Sequence, residues 1–374
     1  MYMVESDASY EKEARQLIRK TNSIVKICGS GSNVDWHKKD IPTINLKEEN
    51  KNHTLKIIYN AVIKICYSGF NEKFNKTLFL DFIIKEYSHF DYVISLFTDA
   101  QSLRIFDWYI QIRIGLEAFN VTKIDFGNPR MLAVLHLFPG PHDPAGYIKA
   151  FEEARKMPDS SFPGELVVDR LGTWIFKQYE IAGFCEAESG DYVLDCGAFT
   201  GNTAMYFADK IGEKGRCYSF EGLPAVFDRF NENMKKFSQD ENVIKCIFTV
   251  VSDYIGTARI TNSDDPCLSG ASLGEEGIEV PCTTIDNFVE SNTLPRVDFI
   301  KMDIEGGEMG ALLGARETIR KYRPKLAISV YHKYEDLITI PEFIQSLGPY
   351  VIRLKHNAIL TSETILFAVP KKTE

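Results

Sequence analysis

The sequence predicts an α/β protein built on a doubly wound sheet, and three observations carry that prediction. The stretch Asp191-Tyr-Val-Leu-Asp-Cys-Gly-Ala-Phe-Thr-Gly-Asn-Thr203 runs from a short apolar strand through a turn with two glycines into a helix. A second strand, Arg216 to Phe220, ends at Glu221, 26 positions after Asp195. Further apolar runs follow at Val243–Val251, Val297–Met302, Leu326–Tyr331, Tyr350–Leu354 and Thr364–Val369, separated by helix-like stretches. Strand, glycine turn, helix, strand and acid make the nucleotide-binding half of such a sheet.

In chain order, residues 8–20 alternate charge with Ala14, Leu17 and Ile18 and read as a short amphipathic helix. Ser23 to Cys28 reads as a strand entering a glycine turn, and Leu55–Tyr67 as a second apolar run. Together they suggest either a small degenerate doubly wound unit or an ordinary strand and turn, and a lone Gly-x-Gly does not assign a nucleotide. Residues 78–116 form a long helical region. Asp99 caps its second part, and Leu103, Phe106 and Ile110 share one face. Residues 138–165, rich in Pro and Gly, read as a connector with one helix near Tyr147–Arg155; His142 in it reads as a solvated loop residue.

Thr173 to Phe184 is expected to approach the sheet as a helix and a strand. Ala204, Phe207, Ala208 and Ile211 line the buried face of the first sheet helix. Pro224 starts the next helix, which buries Val226, Phe227, Phe230, Met234 and Phe237. Val243–Val251 is the third strand, tipped by Ser252 and Asp253. Short β pieces and a Gly/Ser-rich loop fill 256–280, and a helix follows at Asn287–Val289. After Phe299-Ile-Lys-Met-Asp-Ile-Glu-Gly-Gly-Glu308, a helix carries Met309, Leu312, Leu313 and Ile319.

The turn itself argues against a dinucleotide. A pyrophosphate site needs Gly-x-Gly-x-x-Gly, so that main-chain amides approach the phosphates at a helix start. Here the pattern is Asp-x-Gly-x-x-x-Gly, with the Asp195 carboxylate where the ligand would lie. A carboxylate repels a diphosphate but suits an ammonium or a sulfonium. Glu221, at the tip of the next strand, is placed to accept both ribose hydroxyls. A cationic nucleoside such as S-adenosylmethionine fits both acids.

With Leu194-Asp-Cys-Gly-Ala-Phe-Thr-Gly-Asn-Thr203, Tyr218-Ser-Phe-Glu-Gly222, Thr283-Thr-Ile-Asp286 and Phe299 to Glu308 in this order, the C-terminal half resembles the class I methyltransferases. More narrowly it resembles their FkbM-type family. The resemblance implies a Rossmann-like mixed sheet of seven strands, the last antiparallel, with helices on both faces. Ahead of it stands a largely helical α/β extension, a segment FkbM-type proteins often carry. The expected organisation is an accessory region at 1–160 and a catalytic domain at 165–374. The implied donor set is Asp195, Gly197, Gly201, Asn202, Thr203, Glu221, Ser252, Asp253 and Asp303, with Asp303 on the acceptor side. For Asp253, an adenine contact and an ordinary turn aspartate both stand.

Ligands of such sheets bind beyond the carboxyl ends of the strands, where Asp195, Glu221, Asp253, Asp303 and His332 all fall. Side chains alternate along a strand, so Lys301, Asp303 and Glu305 point one way. Glu305 reads as a second functional acid or as a charge favouring the next helix's N-terminus, the latter preferred. His332 can take a proton from a hydroxyl near neutral pH, or it is simply a packed histidine; His356 reads mainly as packed. Asp303 with His332 could instead hold magnesium or manganese. A metal-free base is preferred, because no dense carboxylate cluster is evident in the sequence.

At 374 residues the chain exceeds the usual single domain. A net charge of −9 without a long basic run lacks the footprint of a nucleic-acid binder. The eight cysteines include no Cys-x-x-Cys pair, which suggests buried reduced thiols such as Cys66, Cys196, Cys217 and Cys246. No apolar run approaches the roughly 20 residues of a membrane span, and the start lacks a signal peptide's apolar core. A cytoplasmic enzyme acting on a small-molecule or glycan acceptor is expected, with an oligomer left open. The resemblance points to O-methylation of a sugar hydroxyl on a bacterial surface glycan or its precursor. Methylation of a non-sugar molecule on nitrogen or oxygen, and a silent adenosylmethionine-binding scaffold, are the alternatives.

Overall fold

The computed structural model describes residues 8–29, 52–67, 78–122, 125, 127–141, 144–157, 167–261, 272–273 and 277–372. The chain divides into two compact units, 1–143 with 359–361 and 144–358 with 362–374.

The described elements of the first unit before residue 144 are helices: α1 (Ala8–Gly29), α2 (His53–Tyr67), α3 (Leu78–Lys85), α4 (Tyr87–Leu96), α5 (Ala100–Ala118) and α6 (Pro129–Leu137). Two expectations fail here. The run from Ser23 is the continuation of α1, not a strand. Its hydroxyl groups back-bond within the helix, Thr21 Oγ1 to the Leu17 carbonyl at 2.9 Å and Ser23 Oγ to Arg19 at 2.8 Å. Leu55–Tyr67 is also helical, so no strand of a doubly wound unit exists among these residues, and the described part of the extension is α rather than α/β. Ile57, Ile58, Ala61 and Val62 are all fully buried. A helix apolar all round is a core helix, and a short β-branched run does not distinguish it from a buried strand. The Asp99 cap is present, accepting from Ser102 N at 2.8 Å, and Phe106 and Ile110 are buried. The glycine turn after α1 and His142 lie outside the described residues. Cys66 is disulfide-bonded, against the expectation of a reduced thiol. Local spacing excludes a local motif, but a disulfide asks only that tertiary packing bring two cysteines together.

The second unit opens with α7 (Pro144–Lys156), the helix expected in the connector, and α8 (Val167–Arg170). A π-helical turn, Leu171–Ile175, and a tight loop closed by an Ile181–Cys185 bridge then replace the predicted helix and strand. The elements that follow are β1 (Tyr192–Cys196), α9 (Asn202–Ile211), β2 (Arg216–Glu221), α10 (Pro224–Lys236), β3 (Ile244–Phe248), β4 (Val250–Val251), β5 (Gly256–Thr261), β6 (Ser272–Leu273) and β7 (Ile278–Thr283). The unit ends with α11 (Ile285–Ser291), β8 (Phe299–Met302), α12 (Glu308–Leu313), α13 (Arg316–Tyr322), β9 (Lys325–Ser329), α14 (Asp336–Ser346), β10 (Tyr350–His356) and β11 (Thr364–Pro370).

The main sheet has the order β10-β11-β9-β8-β1-β2-β3. Strands β3, β2, β1, β8 and β9 are parallel, while β11 runs antiparallel between β9 and β10. This is the mixed seven-stranded sheet that the resemblance implied. Its parallel strands all end on one edge, and β1 lies between β2 and β8. One face buries Val193, Phe207, Cys217, Phe230 and Phe299 in a single core. The predicted third strand is broken at Thr249, whose N–H donates to the Glu221 carbonyl at 3.1 Å and whose Oγ1 donates to Pro281 at 2.9 Å. Val250 and Val251 therefore leave the main sheet and join a second one, of order β4-β7-β5-β6. Thr284 caps α11, accepting from Asn287 N at 3.0 Å. No helix among the described residues is long and apolar enough to cross a membrane.

Candidate functional site

The turn after β1 is held by backbone geometry that few residues allow. Gly197, Phe199 and Gly201 have φ of 81°, 49° and 90°. A Cβ on Gly197 would sit 1.9 Å from the Asp303 carbonyl oxygen, so β1 and β8 can close on each other only with glycine there. The Gly197 and Ala198 amides donate to the Phe220 carbonyl at 3.1 and 3.0 Å, which ties the turn to β2.

The ladder register decides what Asp195 does. Asp195 stands opposite Ser219 on β2 and Lys301 on β8, and in parallel pairing all three project from the same face. The carboxylate is wholly buried and lies 3.2 Å from Lys301 Nζ; it also accepts from Thr203 Oγ1 at 2.8 Å and from Ser219 Oγ at 3.4 Å. The cation that Asp195 faces is thus a lysine of its own chain. Lys301 also donates to the Cys196 carbonyl at 3.2 Å and the Gly197 carbonyl at 2.5 Å, pinning the turn from below. Burial alone would pull its ammonium pKa down, but Asp195 and Asp303 outweigh that and raise it. Asn202 is likewise committed within the chain. Its amide donates to the Asp169 carbonyl and Thr173 Oγ1 at 3.0 and 2.6 Å, and its oxygen accepts from Trp174 Nε1 at 2.7 Å.

Glu221 sits on the other side of the turn. Its carboxylate accepts from Phe199 N at 3.0 Å and Leu223 N at 2.8 Å. Burial raises its pKa to about 7 against the pull of those amides. Thr200 Oγ1, in the same turn, is buried with no hydrogen-bond partner among the described residues. Ser252 is buried, its Oγ 3.3 Å from the carboxylate of Asp253, which is exposed.

Beyond β8 and β9 the structure gathers an acidic group that the sequence did not reveal. Tyr179 donates to Asp303 at 2.6 Å, and Tyr331 donates to it at 3.3 Å. His332 Nε2 lies 3.5 Å from Asp303 and 3.4 Å from Glu305, and its Nδ1 lies 2.9 Å from Glu308. Glu305 therefore faces the imidazole, and the preferred reading of it as a helix-end charge is replaced by this contact. Burial pulls the His332 pKa down, but Glu308, Asp303 and Glu305 together raise it to about 9. At neutral pH the imidazole is a cation, not the free base expected from sequence. Glu363 completes the group, hydrogen-bonded by Gln178 and 3.5 Å from the Tyr331 hydroxyl; its pKa is raised by burial and by Asp303. Asp336 is raised to about 7 by burial and by Glu308. His356 is a packed residue, 2.9 Å from Thr364 Oγ1.

Sequence reasoning missed Lys301 as a pin and missed Tyr179, Glu308, Tyr331 and Glu363 altogether. Glu308 carried a weak signal, three residues after Glu305 at a helix start. Tyr179 and Glu363 carried none, being 124 and 60 positions from Asp303.

Residues 195–349 match the family model described as the methyltransferase FkbM domain. Among solved structures the chain is similar to methyltransferase FkbM from Methylobacillus flagellatus KT, at 20% identity and a TM-score of 0.49, covering 79% of this chain. This chain spans 62% of that protein's length. It is also similar to an O-methyltransferase from Bacillus cereus in complex with SAH, at 12% identity, TM-score 0.35, covering 63% of this chain and 95% of that one. A third similarity is to Aeropyrum pernix fibrillarin with natively bound S-adenosyl-L-methionine, at 16% identity, TM-score 0.34, covering 52% and 74%. No curated protein matches the chain.

Proposed function

We propose that this chain, whose residues 195–349 belong to the methyltransferase FkbM domain family, moves the methyl group of S-adenosylmethionine onto a hydroxyl oxygen, with a sugar as the acceptor. The observation that carries this reading is the division of the sheet edge by the glycine turn. β1 pairs with β2 on one side and β8 on the other, so Glu221 borders the turn on one flank and Asp303 with His332 on the other. A nucleoside fits the first flank, where Glu221 is an acceptor for ribose hydroxyls and the orphaned Thr200 hydroxyl lies in the turn. Asp253, exposed beside Ser252, is the adenine-side candidate. Gly197, Gly201, Asn202, Thr203 and Asp195 act by fixing the turn rather than by touching the donor with their side chains.

The donor, when bound, supplies a sulfonium methyl already activated for displacement. The chain has to align an oxygen with it, exclude water and manage one proton. A sugar hydroxyl is weakly acidic, so the second flank must favour its ionised form. His332, cationic at neutral pH, stabilises the oxyanion, and a carboxylate facing its Nε2, Asp303 or Glu305, takes the proton. Tyr179 and Tyr331 hold the Asp303 carboxylate in place.

The test is product analysis. The protein is incubated with methyl-labelled donor and a panel of mono- and oligosaccharides, and products are read by mass spectrometry and linkage analysis. One methyl gained on a hydroxyl oxygen is the expected result. Label transferred to nitrogen, or to none of the panel although the donor product binds, would overturn the sugar-hydroxyl reading.

A further inference from the structure

We propose that Asp303, Glu308 and His332 form a binding site for one divalent cation of the manganese type. The three residues come from separate pieces of chain: the loop after β8, the first position of α12 and the loop after β9. Each can offer one ligand atom, and the three atoms lie within 4.8 Å of one another. Ligand atoms about 2.0–2.2 Å from one ion lie at most about 4.4 Å apart, so only a small inward shift of these side chains is needed to close on an ion.

An acidic group alone would carry little, because exposed carboxylates cluster without ions. Here a second observation points to a ligand. Glu308 is wholly buried, and only one of its oxygens is used, accepting from Ile304 N at 2.9 Å and lying 2.9 Å from His332. Its other oxygen, Oε2, is buried with no hydrogen-bond partner among the described residues. An uncompensated buried carboxylate oxygen is costly, and natural structures avoid one unless something meets it. The neighbours do not. Asp303 and Asp336 are acids, Lys301 is already paired with Asp195 and two carbonyls, and His332 lies against the other oxygen, Oε1. The His332 side chain is 9% exposed, so the ring is fixed among these acids rather than moving in solvent.

The ligand chemistry selects the ion. Two carboxylates and one imidazole suit manganese better than magnesium, which prefers oxygen alone and keeps most of its water. Three protein ligands leave positions for water or for a substrate hydroxyl. Binding the ion would displace one ring proton of His332, which then ligates as a neutral imidazole, and beside Asp303 the ion would take over from the imidazolium the task of lowering the cost of ionising that hydroxyl. This role rests on the proposed methyl transfer, but the site itself does not.

The experiment therefore uses neither donor nor acceptor. The full chain is stripped with chelator and dialysed, then titrated with manganese while the free-ion signal is followed by electron paramagnetic resonance. One saturable equivalent per chain is expected. Glu308→Gln keeps an oxygen for Ile304 N and should weaken binding about 10–100-fold or more, as should Asp303→Asn. Glu232→Gln, an exposed acid on α10, should change nothing. Circular dichroism confirms that each variant is folded; if one is not, His332→Asn is read instead. Absence of saturable binding in the wild type, or equal affinity in a folded Glu308→Gln chain, overturns the site. A chain that binds manganese and methylates nothing keeps the site and sinks the proposed reaction. One that methylates with no bound ion does the reverse.

Discussion

If Glu221 holds the donor's ribose, Glu221→Gln should have two separable consequences. The native carboxylate accepts from Phe199 N and Leu223 N, one on each oxygen, and the Gly222 amide also bonds to it. A glutamine offers one acceptor oxygen and one NH2 group, so at least one of these amides loses its partner and faces another donor. That costs about 1–3 kcal/mol of stability, the worth of a buried unsatisfied polar group. The second consequence is on binding. Hydrogen bonds to a charged acceptor are worth about 1.5–3 kcal/mol, so the affinity for S-adenosylhomocysteine should fall roughly 10- to 150-fold. Calorimetry between pH 5.5 and 8.5 separates the two. The Glu221 pKa is raised to about 7, so the folded protein takes up a proton there that the unfolded chain, with a value near 4.5, does not. The stability this contributes is full below the unfolded value and is lost as pH rises through about 7. Donor binding runs the other way, because the ionised form is the better acceptor. At pH 6 only about a tenth of Glu221 is ionised, so wild-type affinity should weaken by up to about tenfold from pH 8, whereas the Gln variant should show a flat profile. An affinity unchanged by the substitution would mean that the ribose is held elsewhere. A wild-type profile as flat as the variant's would refute the role of the ionised carboxylate.

Other consequences follow from the same geometry. Lys301→Met should destabilise the second unit by about 3–5 kcal/mol, because it strands the buried Asp195 carboxylate; a melting curve matching wild type would show that the pair carries no such weight. His332→Ala should lower turnover about 10²–10⁴-fold while leaving S-adenosylhomocysteine affinity nearly unchanged, and a matching loss of affinity would place the imidazole on the donor side instead. Calorimetry should show S-adenosylhomocysteine binding and no tighter binding of NAD; the reverse order would mean that the glycine turn was misread. A chain starting at Pro144 should still bind S-adenosylhomocysteine, since every donor-side candidate lies after it, and a folded fragment without binding would contradict that.

The sequence by itself determined the parts of this protein whose cause is local. Strand, glycine turn and helix at 191–211 follow from hydrophobic periodicity and from backbone conformations that glycine adopts readily. The Asp99 cap and the Pro224 helix start likewise depend on residues within a few positions of one another. The helix ending α1 and the helix at Leu55–Tyr67 were misread because a buried helix and a buried strand present the same apolar run; what lies around the run selects between them. Tertiary structure alone decided the ladder register. That register puts Asp195, Ser219 and Lys301 on one face and turns a carboxylate expected to meet a ligand into half of a buried ion pair. It also decided the surroundings of His332. Asp303 and Glu308 lie 29 and 24 positions before it and Glu363 lies 31 after, yet parallel strands ending on one edge bring them together. Burial there makes the electrostatics of each acid depend on the others. An isolated strand-end histidine has a pKa set by water, whereas this one has a pKa set by three carboxylates that no local spacing could reveal.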